Sequence, residues 1–257
     1  MIFARSNRPS PARAASALCP ALLLLAVAGC TTAPTQSPEA ANALAQSIVA
    51  NPIRTEGDHK LDASRRPLEF IPFTGVMPGM QVEDIAAGGG YTTELMALAV
   101  GPTGKVYAQR ETAGAALTKR LADNPQPNII VVLRPFEDPV PPDAPKLDLI
   151  TIVNNYHDIT YLPVDRAKMN QRLFAALKPG GHLVVVDHAA KAGTGVTVGK
   201  TLHRIDEAVV VTEMQQAGFV LEAEGTFLRN PADTRETSSG DANLPTDKFA
   251  LRFVKPR

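Results

Sequence analysis

Asp84-Ile85-Ala86-Ala87-Gly88-Gly89-Gly90 is the stretch that decides the fold. It closes a candidate strand from Gln81 to Ala86 that follows the turn Pro78-Gly79. It opens a segment from Tyr91 to Ala99 in which Tyr91, Leu95 and Leu98 recur at helical spacing. A strand, a glycine loop and a helix in that order let bare backbone approach a ligand at the strand's carboxyl end. Two familiar phosphate-binding motifs do not fit. A dinucleotide fingerprint would need its third glycine at Thr93 or Tyr91, and Gly199-Lys200-Thr201 lacks the upstream glycine of a P-loop because residue 194 is threonine. A turn that serves packing alone is the plainer alternative, although three successive glycines cost more chain entropy than packing requires.

Outward from this loop, strand and helix signals alternate, the pattern of a parallel sheet with crossover helices. The predicted strands are Gln81 to Ala86, Lys105 to Gln109, Ile129 to Leu133, Leu147 to Val153 and His182 to Asp187. The predicted helices are Tyr91 to Ala99, Ala113 to Ala122, Pro163 to Leu177 and Ile205 to Gln216, with Lys178-Pro179-Gly180-Gly181 as a helix stop. After Gly218, Phe219 to Leu228 and Lys248 to Lys255 follow one another with no helix between them and are predicted to pair antiparallel. On the amino-terminal side, Ser37-Pro38-Glu39 has the chemistry of a helix start running to about Ala50. Asn51 to Arg66 is polar and charged, and Pro67 to Phe73 forms a short amphipathic helix.

The loop and its setting resemble the class I S-adenosylmethionine-dependent methyltransferases. Their first motif, acid-x-Gly-x-Gly-x-Gly, is matched by Asp84, Gly88 and Gly90, with Ala86 at the first glycine. Lys178 to Asp187 resembles the segment that enters their fifth strand, and the two adjacent terminal strands match their antiparallel hairpin. Asn155-Tyr156-His157-Asp158, His203-Arg204-Ile205-Asp206 and Asn230-Pro231-Ala232-Asp233 are similar to a little-characterised exported bacterial subgroup. The resemblance implies an α/β, doubly wound, mostly parallel seven-stranded sheet in the order 3-2-1-4-5-7-6, over residues 81 to 257. It implies S-adenosylmethionine as cofactor, held by Asp84, Ala86, Gly88, Gly90 and Asn154. The usual ribose-binding acid at the end of the second strand is absent, which leaves Gln109 or Glu111 near the ribose.

Methyl transfer is an in-line displacement from a sulfonium, so the protein mainly aligns the nucleophile and excludes water. A general base is needed only when the nucleophile carries a proton. His157 has a suitable intrinsic pKa and is predicted to be that base, with Tyr156 beside it in the acceptor pocket and Asp158 tuning it; loop capping is the structural alternative. His157, His188 and His203 converge on one rim, yet their spacing gives no local ligand pair, so no metal is expected. Arg204 is predicted to hold a carboxylate, from Asp206 or a substrate. The polar stretch from Arg229 to Asp247 reads as a lid or a solvated hairpin tip, ordered near Asn230 and mobile from Glu236 to Asn243.

Composition bounds the rest. A chain of 257 residues with 44% hydrophobic and 20% charged residues can bury a core, which excludes wholesale disorder and multiple membrane spans. Twenty-six basic residues balance twenty-six acidic ones and tryptophan is absent, so no nucleic-acid partner is indicated. Arg5, Arg8 and Arg13 precede an apolar run from Ala17 to Ala28 that ends in Val27-Ala28-Gly29-Cys30. This resembles a bacterial lipoprotein signal, with residues 1 to 29 removed and Cys30 carrying lipid. Residues 30 to 36 are then a tether and 37 to 80 a helical lead-in. Thr31 after the cysteine resembles lipoproteins sent to the outer membrane, facing the periplasm, so the membrane is reached only through the lipid. Two functions follow: an envelope methyltransferase acting on a small molecule or envelope component, or a non-catalytic module that keeps the fold for another ligand or partner.

Overall fold

In a computed structural model that describes residues 1–4, 36–241 and 245–257, three helices precede the first strand. Helix α1 (Pro38–Val49) starts where the Ser37 hydroxyl accepts from the Ala40 amide at 3.2 Å, as the sequence predicts. Helix α2 (Glu56–Arg65) occupies the stretch read only as polar and charged. It lacks an apolar stripe and is nucleated by a reciprocal capping box between Thr55 and Asp58. Helix α3 (Pro67–Thr74) follows at once, and Phe70 and Ile71 bury its inner face.

The remaining elements alternate. They are β1 (Gln81–Ile85), α4 (Tyr91–Val100), β2 (Lys105–Arg110), α5 (Ala115–Asp123), β3 (Ile129–Leu133), β4 (Leu147–Val153), α6 (Tyr156–Ile159) and α7 (Arg166–Ala176). Then come β5 (Leu177–His188), α8 (Gly199–Leu202), α9 (Glu207–Gln216), β6 (Val220–Gly225) and β7 (Lys248–Val254). One seven-stranded sheet runs in the order β3-β2-β1-β4-β5-β7-β6, with β7 antiparallel to both β5 and β6. This is the order that the family resemblance implies. Strand β5 begins at Leu177, five residues before the predicted start, because Lys178 to Gly181 continues the ladder through a register shift and does not form a separate turn.

Strand alternation divides the core between the two sheet faces. Val82, Val106, Leu149 and Val184 pack under α1, α3 and α4, while Ile85, Ile150, Ile152 and Val185 pack under α7 and α9. One member of the second face breaks the pattern. Glu83 in the middle of β1 is fully buried, and neither carboxylate oxygen finds a hydrogen-bond partner among the described residues. Burial pushes its pKa up to about 8, opposed by the charge of Arg134. The side chain is therefore neutral in the fold at pH 7.

An acid whose folded pKa lies above its unfolded one holds its proton more tightly when folded. Its contribution to stability is largest below pH 4.5 and is lost as pH rises through 8, by about 5 kcal/mol in total. Glu83→Gln should therefore raise unfolding stability at pH 7.5 by about 4 kcal/mol and show almost no gain at pH 4.5. Urea titrations of both proteins at the two pH values check this.

Candidate functional site

The turn of strand order between β1 and β4 opens a crevice at their carboxyl ends, where doubly wound sheets bind ligands. A cavity of about 260 Å³ lies there, walled by Gly88, Gly89, Tyr91 and Asn154 and roofed by Leu61 and Arg65 of α2. Beneath it sits Asp84. Its carboxylate accepts from Thr93 of α4 at 2.7 Å and from Thr151 of β4 at 2.8 Å. Complete burial raises its pKa to about 6, and the two hydroxyls oppose that rise.

The glycine loop is held from both sides. Gln109, fully buried at the end of β2, accepts from the Ala86 amide at 2.9 Å and donates to the Arg134 carbonyl at 2.7 Å. Arg110 donates to the Gly88 carbonyl, and Arg120 of α5 donates to the Gly89 carbonyl at 2.9 Å. A side chain at Gly90, where φ is +88°, would meet Leu117 at 2.8 Å, so α5 rests directly on the loop. Ala86 adopts φ +55° at the position where the resembled motif has glycine.

Helix α2 is fastened as a roof by charge and not by apolar burial. Arg120 reaches Asp58 at 2.6 Å and Glu94 at 2.9 Å, while Asp62 binds Arg54 at 2.6 Å and accepts from the Tyr91 hydroxyl at 2.7 Å. Burial raises the Asp58 carboxyl, but hydrogen bonds from Arg120 and Thr55 outweigh it and bring the pKa down to about 2. Sequence reading missed this roof, including Leu61, Arg65 and Arg120. The capping box at Thr55-Glu56-Gly57-Asp58 was the available signal, and the absence of a hydrophobic period concealed it.

Asp84, Ala86, Gly88 and Asn154 line the cavity, and Gly90 sits in the same loop at the start of α4. Gln109 does not face a ribose site, because the loop takes both ends of its amide. Glu111 is exposed, beyond the end of β2, and lies outside the cavity wall. Asn154, at φ +53°, keeps its buried side-chain oxygen free of any described partner.

Tyr156, His157 and Asp158 lie on α6, next to Asn155, which lines the cavity, but are not themselves among the residues that wall it. Tyr156 is fully buried, donates to Glu213 at 2.6 Å and accepts from Asn170 at 2.8 Å, so it ties α6 to α7 and α9. His157 is clamped between Asp187, 2.6 Å from Nδ1, and Asp158, 3.2 Å from Nε2. Burial lowers its pKa, yet the two carboxylates overcome that and raise it to about 9. A ring that keeps its proton at neutral pH and spends both nitrogens on partners is a structural cation and no base. His157 Nε2, Asp158 Oδ1 and His203 Nδ1 lie within 4.8 Å of one another, with Asp158 3.2 Å from His157 and 2.9 Å from His203.

Arg204 is fully buried and holds Asp233 at 2.8 Å, not Asp206, which caps α9 through the Ala208 amide. Arg204 also donates to the Thr237 carbonyl at 2.9 Å, and the Ser239 amide donates to the Leu202 carbonyl at 2.8 Å. The loop after β6 is therefore pinned as far as Ser239, where mobility from Glu236 was expected. Residues 242 and 243 of that expectation fall outside the described residues.

No family model and no curated protein matches the chain. Solved structures do match. A SAM dependent methyltransferase from Aquifex aeolicus has a TM-score of 0.56 at 17% identity over 82% of this chain and 98% of its own. A Haloferax volcanii protein described as a methyltransferase, in complex with the Trm112 methyltransferase activator, scores 0.56 at 13% identity over 83% and 98%. A Galdieria sulphuraria protein described as a sarcosine dimethylglycine methyltransferase scores 0.55 at 16% identity over 79% and 91%. The fold is the Rossmann-like methyltransferase fold. At these identities the likeness establishes architecture, and function has to be argued from the cavity.

Two outcomes check this geometry. Ala86→Gly should relieve the left-handed strain and stabilise the protein by about 0.5–1 kcal/mol in urea titration. A histidine with a raised pKa contributes stability that is complete below pH 6.5 and fades as pH passes 9. Nitrogen-15 NMR should accordingly show His157 protonated on both nitrogens at pH 7.5.

Proposed function

We propose that this protein is an S-adenosylmethionine-dependent methyltransferase whose cofactor occupies the cavity at the β1/β4 crevice. The observation that carries the reading is the cavity's wall, which combines bare glycine-loop backbone with a buried amide oxygen on Asn154 that lacks a partner. Such an oxygen costs free energy unless a donor reaches it, and the ammonium of the cofactor's amino-acid end is a donor of the right kind. The cofactor supplies an electrophilic methyl group when bound. The chain's own part is to orient and to exclude water. Asp84 fixes the loop from below, Gln109 fixes its first amide, and α2 closes the top. Solved neighbours with the same architecture include a SAM dependent methyltransferase, which supports the choice of cofactor.

The placement that goes with this reading is the periplasmic face of the outer membrane, with the domain held by lipid on Cys30. It rests on Val27-Ala28-Gly29-Cys30 behind an apolar run, in a segment that lies outside the described residues. No helix among the described residues is long and apolar enough to cross a membrane. A second reading, the non-catalytic envelope module, is favoured by one observation: no histidine lines the cavity and its one carboxylate, Asp84, is engaged by two hydroxyls. Methyl transfer to a nucleophile that carries no proton at working pH needs no base, so the same observation selects such acceptors within the enzyme reading.

Calorimetry with S-adenosylhomocysteine separates the two. Binding in the micromolar range is expected, and Asn154→Gly, which tolerates the positive φ and removes the amide, should weaken it by about tenfold. Heat indistinguishable from dilution for both S-adenosylmethionine and S-adenosylhomocysteine would leave the module.

A further inference from the structure

His157, Asp158 and His203 bring together metal-ligating atoms that the methyl-transfer reading leaves unused, directly after Asn155 of the cavity wall. The fold assembles them from two directions. Helix α6 supplies His157 and Asp158, and His203 caps the carboxyl end of α8. Gly199 lets α8 approach α6, since a side chain there would meet the Thr160 hydroxyl at 2.5 Å and the His157 carbonyl at 2.9 Å.

The contacts within the cluster do not balance as hydrogen bonds. Asp158 Oδ1 has the Tyr161 hydroxyl at 2.7 Å, His203 Nδ1 at 2.9 Å and His157 Nε2 at 3.2 Å. A carboxylate oxygen has two lone pairs, so three neighbours on one oxygen leave a ring nitrogen in excess. An ion between the three atoms removes that excess. Oδ1 keeps the Tyr161 hydroxyl as its donor and gives its other lone pair to the metal, and each imidazole gives one nitrogen. Ligands about 2.1 Å from a tetrahedral zinc stand roughly 3.4 Å apart. Here the carboxylate oxygen is 3.2 and 2.9 Å from the two nitrogens, and all three atoms lie within 4.8 Å of one another.

The ring of His157 is oriented for this role. Asp187 Oδ1 lies 2.6 Å from His157 Nδ1 and accepts from the His188 amide at 2.8 Å, while Oδ2 accepts from the His157 amide at 2.8 Å. A carboxylate behind the far ring nitrogen is the usual support of a metal-bound histidine. Asp158 and His203 are partly exposed, which gives an ion an entry path and water as its fourth ligand.

We propose that His157 Nε2, Asp158 Oδ1 and His203 Nδ1 bind one divalent transition-metal ion of the zinc type. Two imidazoles and one carboxylate suit such an ion, whereas magnesium and calcium take oxygen ligands. In the metal-free protein Nε2 carries the proton that keeps His157 charged. Metal binding replaces that proton and releases it to solvent. The bound ion ties α6, beside the cavity, to the segment before α9, and the site stands independently of the methyltransferase reading.

The test uses the full chain, stripped with EDTA and with Cys19 and Cys30 blocked by N-ethylmaleimide, titrated with zinc by calorimetry at pH 7.5. One equivalent should bind with a micromolar or tighter Kd in the presence of millimolar magnesium. His203→Gln and Asp158→Asn should each weaken zinc by at least about tenfold, and His59→Gln, outside the cluster, should leave it unchanged. Circular dichroism reports that the variants fold, and if Asp158→Asn does not, the exposed His203 alone decides. Nitrogen-15 NMR locates the ion: zinc should convert His157 from protonated on both nitrogens to protonated on Nδ1 alone. Absence of zinc binding would overturn the proposal, as would unchanged affinity in His203→Gln. Zinc binding that leaves the His157 signals unmoved would place the ion elsewhere and overturn it equally.

Discussion

Asp84 is the junction on which the site depends. A carboxyl group with no access to water must find hydrogen-bond donors in the protein, and it takes them from Thr93 on α4 and Thr151 on β4. Those two hydroxyls join the strand before the glycine loop, the helix after it and the strand across the switch point. The loop cannot shift against β4 without stranding a buried carboxyl, so the width of the crevice is fixed by polar satisfaction and not by packing alone. Gln109 repeats the device one strand over, because its amide satisfies both the first amide of the loop and a carbonyl beyond β3. That bond explains the lack of an acid at the end of β2: the position is used to hold the loop.

What covers the crevice is held by a different force. Helix α2 contributes little apolar burial and is secured by Asp58 and Asp62 through arginines on α5 and before α2 itself. Ion pairs with little exposure are strong when geometry is good, and they release abruptly when one partner is lost. A roof of this kind can separate without exposing a hydrophobic core. The loop after β6 is pinned by a buried ion pair. Arg204 and Asp233 form a pair with almost no exposure, and Arg204 also satisfies two carbonyls, which turns the polar loop after β6 into a wall.

The cluster of His157, Asp158, Asp187 and His203 shows how little a motif says about its role. Residues of general acid and base chemistry stand at the end of β4, where a methyltransferase-like sheet would use them. The fold instead closes carboxylates around His157 and keeps its charge. The resulting network buttresses α6 against β5 and the segment before α9. The polar groups that line the cavity are backbone, the Asn154 and Asn155 amides, the Arg65 and Arg120 guanidinium groups and the engaged Asp84 carboxyl.

The sequence by itself determined the order and class of the elements. Alternating apolar periods, the glycine loop after Asp84 and two strands with no intervening helix leave few topologies, since crossover handedness and short connections exclude the rest. Local signals of this kind depend on neighbours within a few residues, and Ser37, Pro78-Gly79 and the β7 strand were legible for that reason. The partners of polar side chains depend on tertiary contact. Nothing within ten residues of Gln109 indicates Ala86 and Arg134, and nothing near Lys248 indicates Ser64, 184 positions away. Helix α2 fell between the two cases, because its capping box is local but its stabilisation is not. Whether a polar residue is base or brace is settled by desolvation and by which opposite charge the fold brings near, and only the folded chain fixes both.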